Sequence, residues 1–125
     1  MFMLAAVLSC AAIDGDTLRC GREAVRLLGI DAPEKAGHCR PGRVCAPGDP
    51  EASRHSLAAG LRSGPIRIER VGRDIYGRTL AMVRAGGVDL SCWQLRHGQA
   101  IHVARWDDGG RVARTCPALT QPAQR

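Results

Sequence analysis

Arg26-Leu27-Leu28-Gly29-Ile30-Asp31-Ala32-Pro33-Glu34 decides how this chain of 125 residues is read. Residues 24–30 read as a β-strand, and Pro33, which has no N–H to give to a ladder, ends it. Arg26, Asp31 and Glu34 therefore fall on one strand and the turn that follows it. Upstream, residues 7–13 are short and apolar and read as a strand. Asp14-Gly15-Asp16-Thr17 then marks a hairpin turn or bulge, and residues 18–20 form a strand segment joined to the next at Gly21. Downstream, residues 35–49 form a loop dense in Gly, Pro, Arg and Cys; a loop of this length in a small domain is usually functional or stapled.

A helix opens at Pro50 and runs to about Arg62, with Asp49 as its N-cap and Glu51 complementing its dipole. Residues 66–71 alternate apolar and charged side chains, the pattern of a half-buried strand. Residues 79–84 form another strand, ended by Gly86-Gly87, and residues 89–97 a short helix stopped by Gly98. After Trp106 the pattern fades into a turn at 107–110 and, from Pro117 to Arg125, a frayed tail. The expected fold is mainly β: a five-stranded Greek-key barrel of the OB type with two short helices, the first inserted between the third and fourth strands. Barrels of this type bind nucleic acids on one face. The expected divisions are 1–9, an apolar segment; 10–106, the domain; and 107–125, a tail partly pinned by Cys116. The apolar segment fits the remnant of an export signal or the start of the first strand, and it is too short to span a membrane.

Hydrophobic residues make up 45% of the chain, enough for one core, and that core must be aliphatic because only Phe2, Tyr76, Trp93 and Trp106 are aromatic. The net charge is +6, and Lys35 is the only lysine, so the basic surface is made of arginine. A guanidinium grips phosphate oxygens in pairs where an ammonium cannot, and a basic surface speeds encounter with polyanions. A solubilising surface written in arginine by a GC-rich genome accounts for the same charge. The 6 cysteines lack zinc-ribbon spacing. Their even number in a short chain fits disulfides in an extracytoplasmic, oxidising compartment, with reduced, buried thiols as the competing reading. The expected pairs are Cys10 with Cys20 across a hairpin, Cys39 with Cys45 closing the long loop, and Cys92 with Cys116 pinning the tail.

Three clusters carry chemistry: Asp14-Gly15-Asp16-Thr17, the stretch from Arg26 to Glu34, and Asp74-Ile75-Tyr76-Gly77-Arg78. Each alone fits a turn, a solvated strand or a hairpin tip. In this order and spacing, with Gly48-Asp49-Pro50-Glu51-Ala52-Ser53 and Leu95-Arg96-His97-Gly98-Gln99-Ala100, they resemble the staphylococcal nuclease (thermonuclease) family from about Ile13 to Ala104.

That resemblance implies a calcium-dependent endonuclease that hydrolyses DNA or RNA at the P–O5′ bond. Hydrolysing an anionic diester needs a cation on the phosphate, a positioned water and donors for the charge of the transition state. Calcium takes hard oxygen ligands. The resemblance assigns these to Asp16, Asp31 and the backbone carbonyl of Ala32, where the family more often has threonine, with Asp14 in support behind them. It assigns Glu34 to orienting or deprotonating the water, Arg26 to clamping the phosphate, and Arg78 to the side of the leaving oxygen. Tyr76 would face a terminal phosphate or sugar. Trp106 fits a base-stacking platform or a plain packing residue. Arg40 and Arg43 fit backbone contacts or a solvated loop. Trp93, beside Leu90 and Leu95, reads as core, and His38, His55, His97 and His102 as surface residues.

Two departures are visible. The family continues into a charged third helix that is missing here, and the loop 36–47 gains two cysteines and several arginines. The expected protein is a monomer acting on DNA or RNA, without a membrane span. Two alternatives remain. One is a non-catalytic OB module that binds nucleic acid, against which stand Asp16, Arg26, Asp31, Glu34 and Arg78. The other is a cysteine-stapled secreted structural protein with a decayed site.

Overall fold

The computed structural model describes residues 8–121. Of the apolar segment, residues 1–7, with the start expected for the first strand, lie outside the described residues, as do 122–125 of the tail. The elements run β1 (Cys10–Ala12), β2 (Thr17–Cys20), β3 (Glu23–Leu27), β4 (Ile30–Asp31), α1 (Pro50–Leu61), β5 (Ile66–Arg73), β6 (Thr79–Ala85), β7 (Val88–Asp89), α2 (Leu90–Arg96) and β8 (Ile101–His102). A 3-10 turn at Ala104–Trp106 and two short helices, α3 (Arg111–Thr115) and α4 (Pro117–Thr120), follow.

The protein is mainly β, as expected of an OB-type fold, but its strands form two open sheets. The larger has the order β1-β2-β3-β6-β5, with β7 added to β6. Neighbours are antiparallel except β3 and β6, which are parallel with Arg26 opposite Leu80. The smaller sheet pairs β4 with β8. The single strand expected over 24–30 is divided. Gly29 takes φ 74°, a conformation open to glycine, and this bend turns β4 away from β3 into the second sheet.

Helix α1 starts as its sequence dictates: the Asp49 side chain accepts from Glu51 N–H at 2.9 Å and Pro50 occupies the first turn. Asp89 caps α2 in the same way through Cys92 N–H at 2.9 Å. Leu57 of α1 and Leu90 of α2 complete a buried cluster with Leu18, Val25, Leu27, Ile30 and Val83, all essentially without exposure. This core is aliphatic, as the composition requires. Trp93 is half-buried between α1 and α2 and donates from Nε1 to Ser56 O at 2.8 Å.

The tail is where expectation and structure part. From Pro117 to Thr120 it is a helical turn, not frayed chain, and among the described residues the tail holds no single long helix. Val112 of α3 is fully buried against Leu28 and Met82, beside Cys92 and Cys116. Asp107, 1% exposed, organises this packing: its carboxylate accepts from Val112 N–H at 2.7 Å and Ala113 N–H at 3.0 Å. His102 Nε2 donates to it at 2.8 Å, the tautomer that an acceptor-only carboxylate requires. His102 is thus a half-buried partner of Asp107 and not the surface residue expected; His38, His55 and His97 are exposed. All three expected disulfides are present: Cys10–Cys20, Cys39–Cys45 and Cys92–Cys116.

Candidate active site

The turn between β1 and β2, the end of β4 and the β5–β6 hairpin converge on one cleft of about 1180 Å³. Asp14, Asp16, Arg26, Ala32, Glu34, Tyr76, Arg78 and Trp106 line it. Asp31 is buried at its floor, 3% exposed, and reaches the cleft through its ion pairs.

The acidic end is built by close approach. A Cβ on Gly15 would stand 1.8 Å from Ser53 Oγ and 2.8 Å from the Ala32 Cβ, so only glycine lets the Asp14–Asp16 turn lie against α1 and β4. Beneath it, fully buried Gln94 donates from Nε2 to Gly15 O at 2.7 Å and to Ser53 O at 2.9 Å, while Ser53 Oγ donates to Gln99 O at 2.7 Å. Asp16 is fixed from both sides, Oδ1 accepting from Thr17 Oγ1 at 3.0 Å and Oδ2 from Ala32 N–H at 2.9 Å.

Arg26 joins the two carboxylates. It pairs with Asp16, approaches Asp31 Oδ1 at 3.6 Å, and donates to Ile30 O at 3.2 Å. Burial alone would lower its pKa, but the charges of Asp16 and Asp31 outweigh burial and raise it. Burial pushes the Asp31 carboxyl above the ordinary carboxylate range and the charge of Asp16 pushes it further, against Arg26 and Arg43. Asp14 is raised by burial and then by Asp16. The donor set of two buried carboxylates and a neighbouring main-chain carbonyl is all oxygen and carries excess negative charge, which suits a hard divalent cation such as calcium. Among the described residues no three His, Cys, Asp or Glu side chains gather as a metal-binding group. A cation here would therefore need main-chain oxygen and water beside Asp16 and Asp31.

Across the cleft, Arg78 is held by the turn that carries it. Asp74 Oδ1 accepts from the N–H groups of Tyr76 and Arg78, both at 2.9 Å, and Oδ2 from Arg78 Nε at 2.7 Å. Burial opposes the ionised Asp74, but the hydrogen bonds and charge of Arg78 hold its carboxyl below the usual range. Tyr76 is 65% exposed, with the Arg78 guanidinium 5.5 Å from its ring centre. The half-buried Trp106 ring faces two guanidiniums, Arg105 at 5.0 Å and Arg26 at 5.6 Å. Trp106 thus supports Arg26 by cation–π contact as well as lining the cleft.

The sequence left some of this machinery unassigned. Asp74 stands in a quoted cluster, and its spacing to Gly77 and Arg78 is the signal of such a turn. Gln94 and Ser53 give no local signal, because their partners are distant in sequence. Arg43, left as backbone contact or solvated loop, donates from Nη1 to Glu34 at 2.6 Å and from Nη2 to Asp31 at 3.4 Å.

A comparison with curated proteins yields no match. The family described as staphylococcal nuclease homologue matches residues 24–125. That span contains Arg26, Asp31, Ala32, Glu34, Tyr76, Arg78 and Trp106, while Asp14 and Asp16 precede it; of these two, Asp16 is joined to the span by its contacts with Arg26 and Ala32. With its mainly β fold and most of its length matched, the chain belongs to the staphylococcal nuclease homologue family.

Proposed function

We propose that the protein is a calcium-dependent nuclease that hydrolyses phosphodiester bonds of DNA or RNA with cleavage of the P–O5′ bond. The observation that carries this reading is the meeting of two buried carboxylates, a half-buried glutamate and two oriented arginines in one cleft of a nuclease-family fold. Asp16, Asp31 and the Ala32 carbonyl would hold the calcium ion, with Asp14 in support. When bound, the ion offsets the charge of the phosphate and polarises it.

The other work falls to side chains. Glu34 orients the attacking water and can accept its proton. Arg26 shifts from its carboxylates onto the phosphate oxygens, supported by the Trp106 ring. Arg78, held by Asp74, meets the charge growing on the leaving oxygen. Tyr76, exposed at the hairpin tip, contacts a terminal phosphate or sugar, and the free part of the Trp106 face is offered to a base. The basic chain, of net charge +6, concentrates polyanions at this cleft. The three disulfides suit an oxidising, extracytoplasmic location, and no helix among the described residues is long and apolar enough to cross a membrane. The protein acts as a monomer, since one chain supplies every group named.

The test is digestion of denatured DNA and of RNA by oxidised protein, with calcium and with EDTA, beside Glu34→Gln and Arg78→Ala. Cleavage should need calcium and fall at least about 100-fold in each variant. A folded wild type that binds nucleic acid but fails to cut it whatever metal is supplied would leave a binding module instead.

A further inference from the structure

Arg43 occupies a position that the proposed reaction cannot leave unchanged. Its guanidinium bridges Glu34 Oε1 at 2.6 Å and Asp31 Oδ1 at 3.4 Å, so one side chain pairs with both the carboxylate proposed to orient water and one proposed to hold the metal. The contact is not a buried structural pair: the Arg43 side chain is 36% and the Glu34 side chain 26% exposed. Ion pairs this open contribute little to stability and exchange partners readily. The backbone around Arg43 is constrained nonetheless. Cys39–Cys45 closes a ring of sequence separation 6 around it, and a turn bond runs from Arg43 N–H to Arg40 O at 3.1 Å. The result is a partly exposed cation on a tethered loop at the rim of the cleft.

With Arg43 on Oε1, only Oε2 of Glu34 is left to orient a water. Calcium at Asp31 would repel the same guanidinium. A strand entering the cleft brings the nearest new negative charge. We propose that Arg43 is a third phosphate-binding arginine of this site: it rests on Glu34 and Asp31 in the free protein, turns onto a substrate phosphate beside the scissile one, and is kept within reach by the Cys39–Cys45 staple. The proposal rests on the nuclease reading for the identity of the strand, but its test does not depend on cleavage.

The experiment measures binding of a fluorescent single-stranded oligodeoxynucleotide in calcium over a range of salt concentrations. The protein is the oxidised Arg78→Ala variant, which should cut the strand at least about 100-fold more slowly, so that binding is read before cleavage. Adding Arg43→Ala should weaken binding several-fold and make the slope of log K against log salt shallower by about 0.7, the loss of one phosphate contact. Arg43→Lys should recover most of the slope and only part of the affinity, since it keeps the charge and loses the fork. Cys39→Ser with Cys45→Ser should weaken binding in the same direction, and Arg43→Ala added to that pair should cost less than it does alone. Unchanged affinity and slope in Arg43→Ala overturn the proposal. So does tighter binding, which would make Arg43 a plug that competes with the strand. Full affinity in the double serine variant overturns the role of the staple. If wild-type protein fails to cut, the nuclease reading falls, while the slope still reports on Arg43.

Discussion

At the scale of single residues, the ion pairs of this protein divide by what they touch. Those of Arg26, Arg43 and Arg78 face the cleft and hold groups that the proposed substrate would claim. Glu23 belongs to another class. It accepts from Arg70 at 2.8 and 2.6 Å and from Thr79 Oγ1 at 2.7 Å, joining β3 to β5 and β6 on the surface. These hydrogen bonds, Arg70 first, lower its pKa from 4.5 to about 2. A carboxyl whose pKa is depressed on folding stabilises the folded state above its unfolded pKa and loses that contribution as pH falls through its folded value. The contribution of Glu23 is therefore complete above about pH 4.5 and gone near pH 2. In thermal melts from pH 7 to 2, wild type should exceed Glu23→Gln at neutral pH, with the gap closing through the acid range and narrowing in high salt. A gap of constant size at all pH values would mean that Glu23 contributes shape and not charge.

At the scale of elements, legibility follows the range of the forces. Helix α1 was readable because its start is local: an Asp, a Pro and a Glu in sequence do the capping within one turn. The alternation of β5 was readable because one face of that strand is half-buried along its length. The division of β3 from β4 depends on where β8 lies, more than seventy residues away, and periodicity carries no such information. The cleft follows the same rule. Asp16, Arg26, Asp31, Glu34 and Arg78 were legible as a family pattern, whereas Gln94, Ser53 and Arg43 act across contacts that only the fold creates. The tail was misread for a related reason. Its order comes from Asp107, an acidic residue in a stretch that read only as a turn, and from the burial of Val112. Asp107→Ala should strand two helix N–H groups and the His102 ring at once, and cost about 3 kcal/mol in denaturant melts. It should also lower nuclease activity, because the neighbouring Trp106 supports Arg26. A variant as stable as wild type would show that the tail packs by Val112 alone.

At the scale of the whole molecule, the question is what holds together a small domain in which no aromatic side chain among the described residues is fully buried. The three disulfides answer it unequally. Cys10–Cys20 joins register partners on β1 and β2, so it reinforces a ladder that already exists. Cys39–Cys45 spans a separation of 6 in an exposed loop and touches neither core cluster. Cys92–Cys116 closes a separation of 24, and both its cysteines pack against the cluster of Leu28, Met82 and Val112. Loop-closure entropy grows with the length enclosed, giving about 3 kcal/mol for the 24-residue span and about 2 kcal/mol for the 6-residue one. The longer bridge also secures buried contacts, so the measured difference should exceed the entropic one. Urea melts of oxidised protein should therefore rank Cys92→Ser with Cys116→Ser as clearly less stable than Cys39→Ser with Cys45→Ser. The two variants should also fail differently. The first loses stability together with activity, because the tail behind Trp106 and Arg26 is released. The second loses less stability, about 2 kcal/mol, and also loses affinity for the strand through Arg43. Equal midpoints would mean that the tail is held by its packing alone and that the bridge merely records its position.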